Sequence, residues 1–133
     1  MNKFLFLFFF VVTMQFSFAQ ESYVKNRFAN GKMKEEGWVI NGKKAKYWFY
    51  YYENGNTKEE GHYSNGNKVN WWIYYDKKEE VIRKTEYKNN VQNGFSIIYR
   101  DGDVVKAEKY SVGKKIKEWH SMAEFREDNP SLF

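Results

Sequence analysis

The sequence predicts an all-β protein, an elongated antiparallel meander of stacked β-hairpins. Three observations predict it. A residue pattern recurs every 24 positions, Asn-Gly or Asp-Gly dipeptides punctuate it, and the chain beyond its first stretch is rich in Tyr and Trp but almost without Leu. Such dipeptides accept the positive φ angles of tight hairpin turns. Aromatic and β-branched side chains favour pleated strands, whereas a helical core leans on Leu, Ala and Met. A fixed period decides a fold before any single element does.

Taken in order, the 133 residues begin with Met-Asn-Lys and an unbroken apolar run from Phe4 to Val12. Thr13 and Gln15 then interrupt, and Ser17 and Ala19 place small residues three and one before a cut after Ala19. One cation, a short apolar run and such a cut make a secretory signal peptide. A membrane anchor needs ~20 apolar residues, and the interruption comes too soon. With no Cys in the chain, a lipoprotein anchor and a disulfide framework are excluded together. The expectation is a secreted or periplasmic protein, with 1–19 as signal peptide and 20–29 as an N-terminal segment without repeat character.

Residues 30–120 carry the repeat. Gly31, Gly37 and Gly42 recur as Gly55, Gly61 and Gly66, and Lys34-Glu35-Glu36-Gly37 recurs as Lys58-Glu59-Glu60-Gly61. Tyr47-Trp48-Phe49-Tyr50-Tyr51 becomes Trp71-Trp72-Ile73-Tyr74-Tyr75 and then Phe95-Ser96-Ile97-Ile98-Tyr99. Asp101-Gly102 and Val112-Gly113 supply the turns of a degraded fourth copy. The pattern gives about eight strands, over 32–40, 46–52, 56–63, 70–75, 80–87, 94–100, 103–111 and 115–120. A parallel pairing would need a crossover of a dozen or more residues, and no turn here is that long. In 121–133, Ser121-Met122-Ala123-Glu124 has the spacing of a capping box. A helix of about two turns is expected there, laying Met122 and Phe125 over the last hairpin as a cap.

Alternation along strands assigns faces. Tyr47, Trp71 and Phe95, then Phe49, Ile73 and Ile97, then Tyr51, Tyr75 and Tyr99 share one side. Because that side stays apolar in every copy, it is expected to be the buried one. The other carries Trp48, Trp72 and Ser96, then Tyr50, Tyr74 and Ile98, then Tyr52, Asp76 and Arg100, and fades to polar; it is expected to be partly wet. Gly37 and Gly61 fall inside strands, which marks either a bulge or an aromatic ring laid over bare backbone. The Lys-Glu-Glu runs read as a solvated, mixed-charge edge.

Chemistry is sparsely represented. Two histidines, His62 and His120, have no partner in a recognisable motif, and a nucleophile needs a base within reach. Adjacent carboxylates such as Glu35-Glu36 point to opposite sides of a strand. No catalytic residue, metal site or cofactor is expected. The formal charge of +5 comes from interspersed signs, without the basic stripe of a nucleic-acid binder.

The run Asn54-Gly55-Asn56-Thr57-Lys58-Glu59-Glu60-Gly61-His62-Tyr63-Ser64-Asn65-Gly66, followed by Trp72-Ile73-Tyr74-Tyr75, resembles the bacterial MORN-variant repeat found in proteins labelled antitoxin components of the YwqK type. The resemblance covers about 30–120. It implies a sheet of stacked hairpins used for binding, as a scaffold or a toxin-neutralising protein. The third copy departs from it, with Lys77-Lys78-Glu79-Glu80 in place of a turn glycine and Thr85 in place of a strand glycine.

The candidate binding residues are therefore the aromatic row Trp48, Tyr50, Tyr52, Trp72 and Tyr74, since exposed aromatic rows mark interaction sites. Another protein is the first expected partner, a glycan stacked on the rings the second, and an anionic lipid surface the third. A single sheet must also hide its apolar side. It can curl on itself, accept the tail, or pair with a second copy as a homodimer.

Overall fold

The computed structural model describes residues 17–133. The leader reading falls mainly on residues 1–16, outside them. Nine strands follow one another: β1 (Glu21–Arg27), β2 (Met33–Ile40), β3 (Lys43–Tyr51), β4 (Thr57–Ser64), β5 (Asn67–Tyr75), β6 (Val81–Lys88), β7 (Val91–Arg100), β8 (Asp103–Ser111) and β9 (Lys114–Trp119). They form one sheet whose spatial order is the chain order, with every neighbour antiparallel. Helix α1 (Met122–Asp128) and a 3₁₀ turn (Pro130–Leu132) close the chain.

The eight expected strands are all present, and β1 is the addition. It lies in the segment read as lacking repeat character, because Glu-Ser-Tyr-Val-Lys-Asn-Arg has neither a repeat mate nor an apolar alternation. It pairs along β2 in a register running from Glu21 opposite Ile40 to Arg27 opposite Met33.

Turn chemistry fixes that register. On one edge of the sheet, Asn41-Gly42, Asn65-Gly66, Asn89-Asn90 and Val112-Gly113 all take positive φ at both positions, the geometry that matches strand twist. On the other edge, Gly31 and Gly55 occupy the left-handed position of a longer loop, with φ of 82° and 92°. Glu79 takes the same place in the third copy, at φ 68°. There the Asp76 Oδ1 accepts from the Lys78 and Glu80 amides, and the Glu79 carboxylate accepts from the Thr57 amide at 3.1 Å. The missing glycine is thus replaced by side-chain hydrogen bonds. Successive turns also interlock, since the Gly66, Asn90 and Gly113 amides donate to the Lys44, Lys68 and Gln92 carbonyls.

In the first two copies the assignment of faces is inverted relative to the sequence expectation, whereas over β7–β9 the expected face, that of Phe95 and Ala107, is covered by helix α1. Trp48 and Trp72 are 1% and 0% exposed, while Trp71 is 41% exposed on the opposite side. The cause is glycine. A Cβ at Gly37 would fall inside the Trp48 ring, and one at Gly61 inside the Trp72 ring. Each indole therefore lies flat on bare backbone, and the register shifts at the same places, between Gly37 and Trp38 and between Gly61 and His62. Aromatic covering and bulge coexist. The face carrying Trp48 and Trp72 is called here the indole face, and the face carrying Tyr47, Trp71, Phe49 and Ile73 the open face.

Helix α1 supplies the only second layer among the described residues. Ser121 caps it, accepting the Glu124 amide at 3.2 Å, while the Glu124 carboxylate accepts from the His120 amide at 3.0 Å. Phe125 packs with Ala107 and Trp119, with Phe95 and Met122 against them. The Trp119 indole donates to the Asp128 carboxylate at 2.7 Å, which pins the helix to β9.

Candidate functional site

On the indole face, the first two copies build the same unit from residues 24 apart. The Trp48 Nε1 donates to the Trp38 carbonyl at 2.8 Å, and the Trp72 Nε1 to the His62 carbonyl at 3.1 Å. Lys44 lies over the Trp48 ring at 4.2 Å, and Lys68 over the Trp72 ring at 4.0 Å. Each ammonium pairs with a carboxylate of the preceding strand, Glu35 at 3.5 Å and Glu59 at 3.4 Å. The Tyr50 and Tyr63 hydroxyls share a hydrogen bond at 2.7 Å, as do those of Tyr74 and Tyr87. Burial, then the bond to its partner tyrosine, raises the Tyr50 hydroxyl pKa, and burial with Tyr87 does the same for Tyr74. A ring, a cation, a carboxylate and two phenols thus seal each indole from water, a cation–π arrangement reinforced by hydrogen bonds.

The candidate row Trp48, Tyr50, Tyr52, Trp72 and Tyr74 lies largely in this layer. Its two indoles have no free face on which a ligand could stack, and Tyr50 and Tyr74 are half-buried. Tyr52 stands apart, donating to the Tyr75 carbonyl at 2.8 Å on the loop edge. Lys44, Lys68, Glu35, Glu59, Tyr63 and Tyr87 were missed as members. Their signal was the 24-residue spacing, which holds for these polar positions as well as for the aromatics.

The open face is differently made. Trp71, Ile73, Lys84, Ile97 and Tyr99 line a shallow cleft of about 350 Å³. A second cleft, lined by Glu80, Val81 and Asp101, adjoins it through the shared Lys84 and Tyr99. Rows of alternating character cross the strands: Glu36, Phe49, Glu60, Ile73, Lys84 and Ile97 stand opposite one another in turn. The Tyr51 hydroxyl donates to Glu36 at 2.7 Å and the Tyr47 hydroxyl to Glu60 at 2.8 Å. Lys84 sits 5.6 Å from the Tyr99 ring. Neither Glu60 nor Lys84 has an oppositely charged partner among the described residues. On β6, burial raises the carboxyl pKa of Glu86.

His62 is exposed on this face, edge-on to the Tyr47 ring at 4.7 Å. His120 stands 3.1 Å from Glu118 beyond the last strand, far along the sheet from His62. Among the described residues, no group of three or more His, Asp or Glu could hold a metal ion, and no helix is long and apolar enough to cross a membrane.

No protein-family model matches the chain, and no curated protein matches it significantly.

Proposed function

We propose that the chain is an exported, non-catalytic repeat protein of the MORN-variant kind that binds another protein, in the manner of a scaffold or a toxin-neutralising factor. The observation that carries this reading is the contrast between the two faces. The indole face is sealed by its own side chains, whereas the open face leaves Trp71, Ile73, Ile97 and Tyr99 beside an unpaired Lys84. An exposed indole and a half-buried phenol around a charge are among the residue types that dominate protein interfaces. The 24-residue hairpin unit supports the family reading, and the leader at 1–19 supports export.

The test is affinity capture from the exported fraction. The intact chain is expected to retrieve one defined polypeptide, and Trp71→Ser, which changes an exposed ring, is expected to abolish that capture. Turnover of any small substrate that disappears in His62→Ala would sink the non-catalytic reading.

A glycan is the second reading, favoured by the partly exposed Trp71 indole in a shallow cleft. It predicts retardation in a polysaccharide gel that Trp71→Ser removes. Salt-sensitive co-sedimentation with anionic liposomes would instead assign the face to lipid.

A further inference from the structure

We propose that β1 is a self-complementary edge through which two copies of this chain join into one continuous sheet, β1 beside β1 and antiparallel. The inference goes beyond the reading of the open face and does not depend on it. Its ground is the sequence of the strand, Glu21-Ser22-Tyr23-Val24-Lys25-Asn26-Arg27. Turned end for end about Val24, the strand meets its own complement. Glu21 falls opposite Arg27, Ser22 opposite Asn26, Tyr23 opposite Lys25, and Val24 opposite itself. An isologous contact requires this reciprocity.

The backbone has the matching phase. The Asn41 amide donates to the Gln20 carbonyl at 2.9 Å, so the polar groups of Gln20 turn toward β2, as do those of Ser22, Val24 and Asn26 by alternation. Those of Glu21, Tyr23, Lys25 and Arg27 turn outward, where β1 has no neighbour. With the axis at Val24, Tyr23 exchanges both backbone bonds with Lys25 of the other copy, and Glu21 does so with Arg27. The free edge is also unbroken. The register skip beside it is absorbed by β2, which passes from Glu35 to Met33 while β1 passes from Asn26 to Arg27.

The side chains have capacity to spare. Glu21 holds Lys46 through one carboxylate oxygen, and Arg27 holds the Gly31 carbonyl through one nitrogen. The second oxygen and the rest of the guanidinium fork are left for each other. Tyr23 is 42% exposed, with Lys25 of its own copy 5.8 Å from the ring, a contact that Lys25 of the other copy would repeat. The far edge of the sheet is built otherwise. On β9, Ile116 is bulged out of the ladder, and the same rotation about it would set Lys115 against Lys117. Bulges and edge lysines oppose strand addition. Helix α1 packs at that far end, over β8 and β9, and does not obstruct the join. A seven-residue strand spans about 23 Å, a contact at the small end of interface sizes, so assembly is expected at micromolar chain concentrations. Since the axis stands perpendicular to the sheet, both open faces look the same way and present a bivalent surface.

Residues 20–133 hold every strand and helix, and sedimentation velocity on them should show a monomer–dimer equilibrium. Lys25→Pro removes an outward amide that the single copy does not use, a change that edge strands tolerate. It should weaken association at least ~10-fold while circular dichroism stays native. Charge exchange keeps the test independent of the proline. Glu21→Arg and Arg27→Glu each set like charges together and should each associate ~10-fold more weakly. Mixed in equal amounts, the two regain opposite charges at both ends and should form a heterodimer. The chain has no Cys, so Val24→Cys should give a disulfide-linked dimer on mild oxidation, faster than Val112→Cys at a more exposed turn.

A chain that stays monomeric at high concentration, folded charge variants that do not associate on mixing, or a Val24→Cys chain that oxidises no faster than Val112→Cys would overturn the proposal. So would a dimer that Lys25→Pro leaves intact and Trp71→Ser dissolves, since that contact would lie on the open face. A dimer retained in Trp71→Ser supports the edge contact whatever becomes of partner capture, so the two readings fail separately.

Discussion

The first two copies and the third fill one continuous row of the sheet by opposite means. In the first two, a glycine on one strand receives an indole from the next, Gly37 with Trp48 and Gly61 with Trp72. In the third, the same pair is Thr85 with Ser96, fully buried and joined hydroxyl to hydroxyl at 2.8 Å. The large ring has gone and the small backbone has gone with it. Around them, Glu59 and Lys68 give way to Arg83 and Gln92, and Arg83 turns back to lie 4.4 Å from the Tyr74 ring. The lesson is that the packing unit is the cross-strand pair. Its two members change together, so that the volume above the sheet stays filled.

The largest effect is expected where the ring carries the burial. Trp72→Ala should cost about 3–5 kcal/mol in chemical denaturation, the range for deleting a buried aromatic. Ser96→Ala, at the equivalent position of the third copy, should cost about 1–3 kcal/mol, because it leaves the buried Thr85 hydroxyl without a partner. Equal losses at the two sites would contradict the contrast.

A transplant sharpens it. Ser96→Trp alone drives a ring into the Thr85 side chain and should cost about 2–3 kcal/mol through overpacking. Thr85→Gly/Ser96→Trp rebuilds the pair of the earlier copies and should recover most of that loss. A double variant no better than the single one would show that the remainder of the third copy no longer accepts an indole.

Smaller still is the difference between turns. Val112 holds φ 46° where the matching turns place Asn or Asp, and it is exposed. A β-branched residue in the left-handed region is strained. Val112→Asn should therefore raise stability by about 1 kcal/mol, with no change at the other turns, as read from thermal melts.

The mildest difference shows only at alkaline pH. Burial, followed by hydrogen bonds to Tyr63 and Tyr87, holds the Tyr50 and Tyr74 hydroxyls above the ordinary phenol value of 10.0. Burial and then Glu60 and Glu36 do the same for Tyr47 and Tyr51. A pKa raised in the folded state means stability that is complete below the unfolded value and falls as pH rises beyond it. Phenolate absorbance should therefore appear together with loss of tertiary circular dichroism above pH 10, and the first two copies should release their amides first in hydrogen exchange.

Much of this was readable in the sequence. The 24-residue period and the Asn-Gly turns placed eight strands, and Ser121 with Glu124 placed the cap. The sidedness was not readable from constancy alone, because both faces carry aromatics at every second position. Away from the strands that α1 covers, no second layer decides which side is dry. Glycine decides it, and the evidence lay eleven residues apart: Gly37 with Trp48, Gly61 with Trp72, Thr85 with Ser96. The persistently apolar row pointed to the wrong side at Tyr47 and Trp71, while Phe95 does pack, beneath helix α1. Strand β1 was missed for a simpler reason. It copies nothing, and its burial is slight.

Each hairpin leans only on the hairpins before and after it, and the loop tips are stitched amide to carbonyl in that same order. Such a ribbon behaves as a one-dimensional chain of couplings. Gene duplication of one 24-residue module would lengthen it without disturbing the modules already laid down, and shortening would trim reach before it dissolved the scaffold. Span is therefore a quantity that evolution can adjust in whole steps, independently of what the surface recognises.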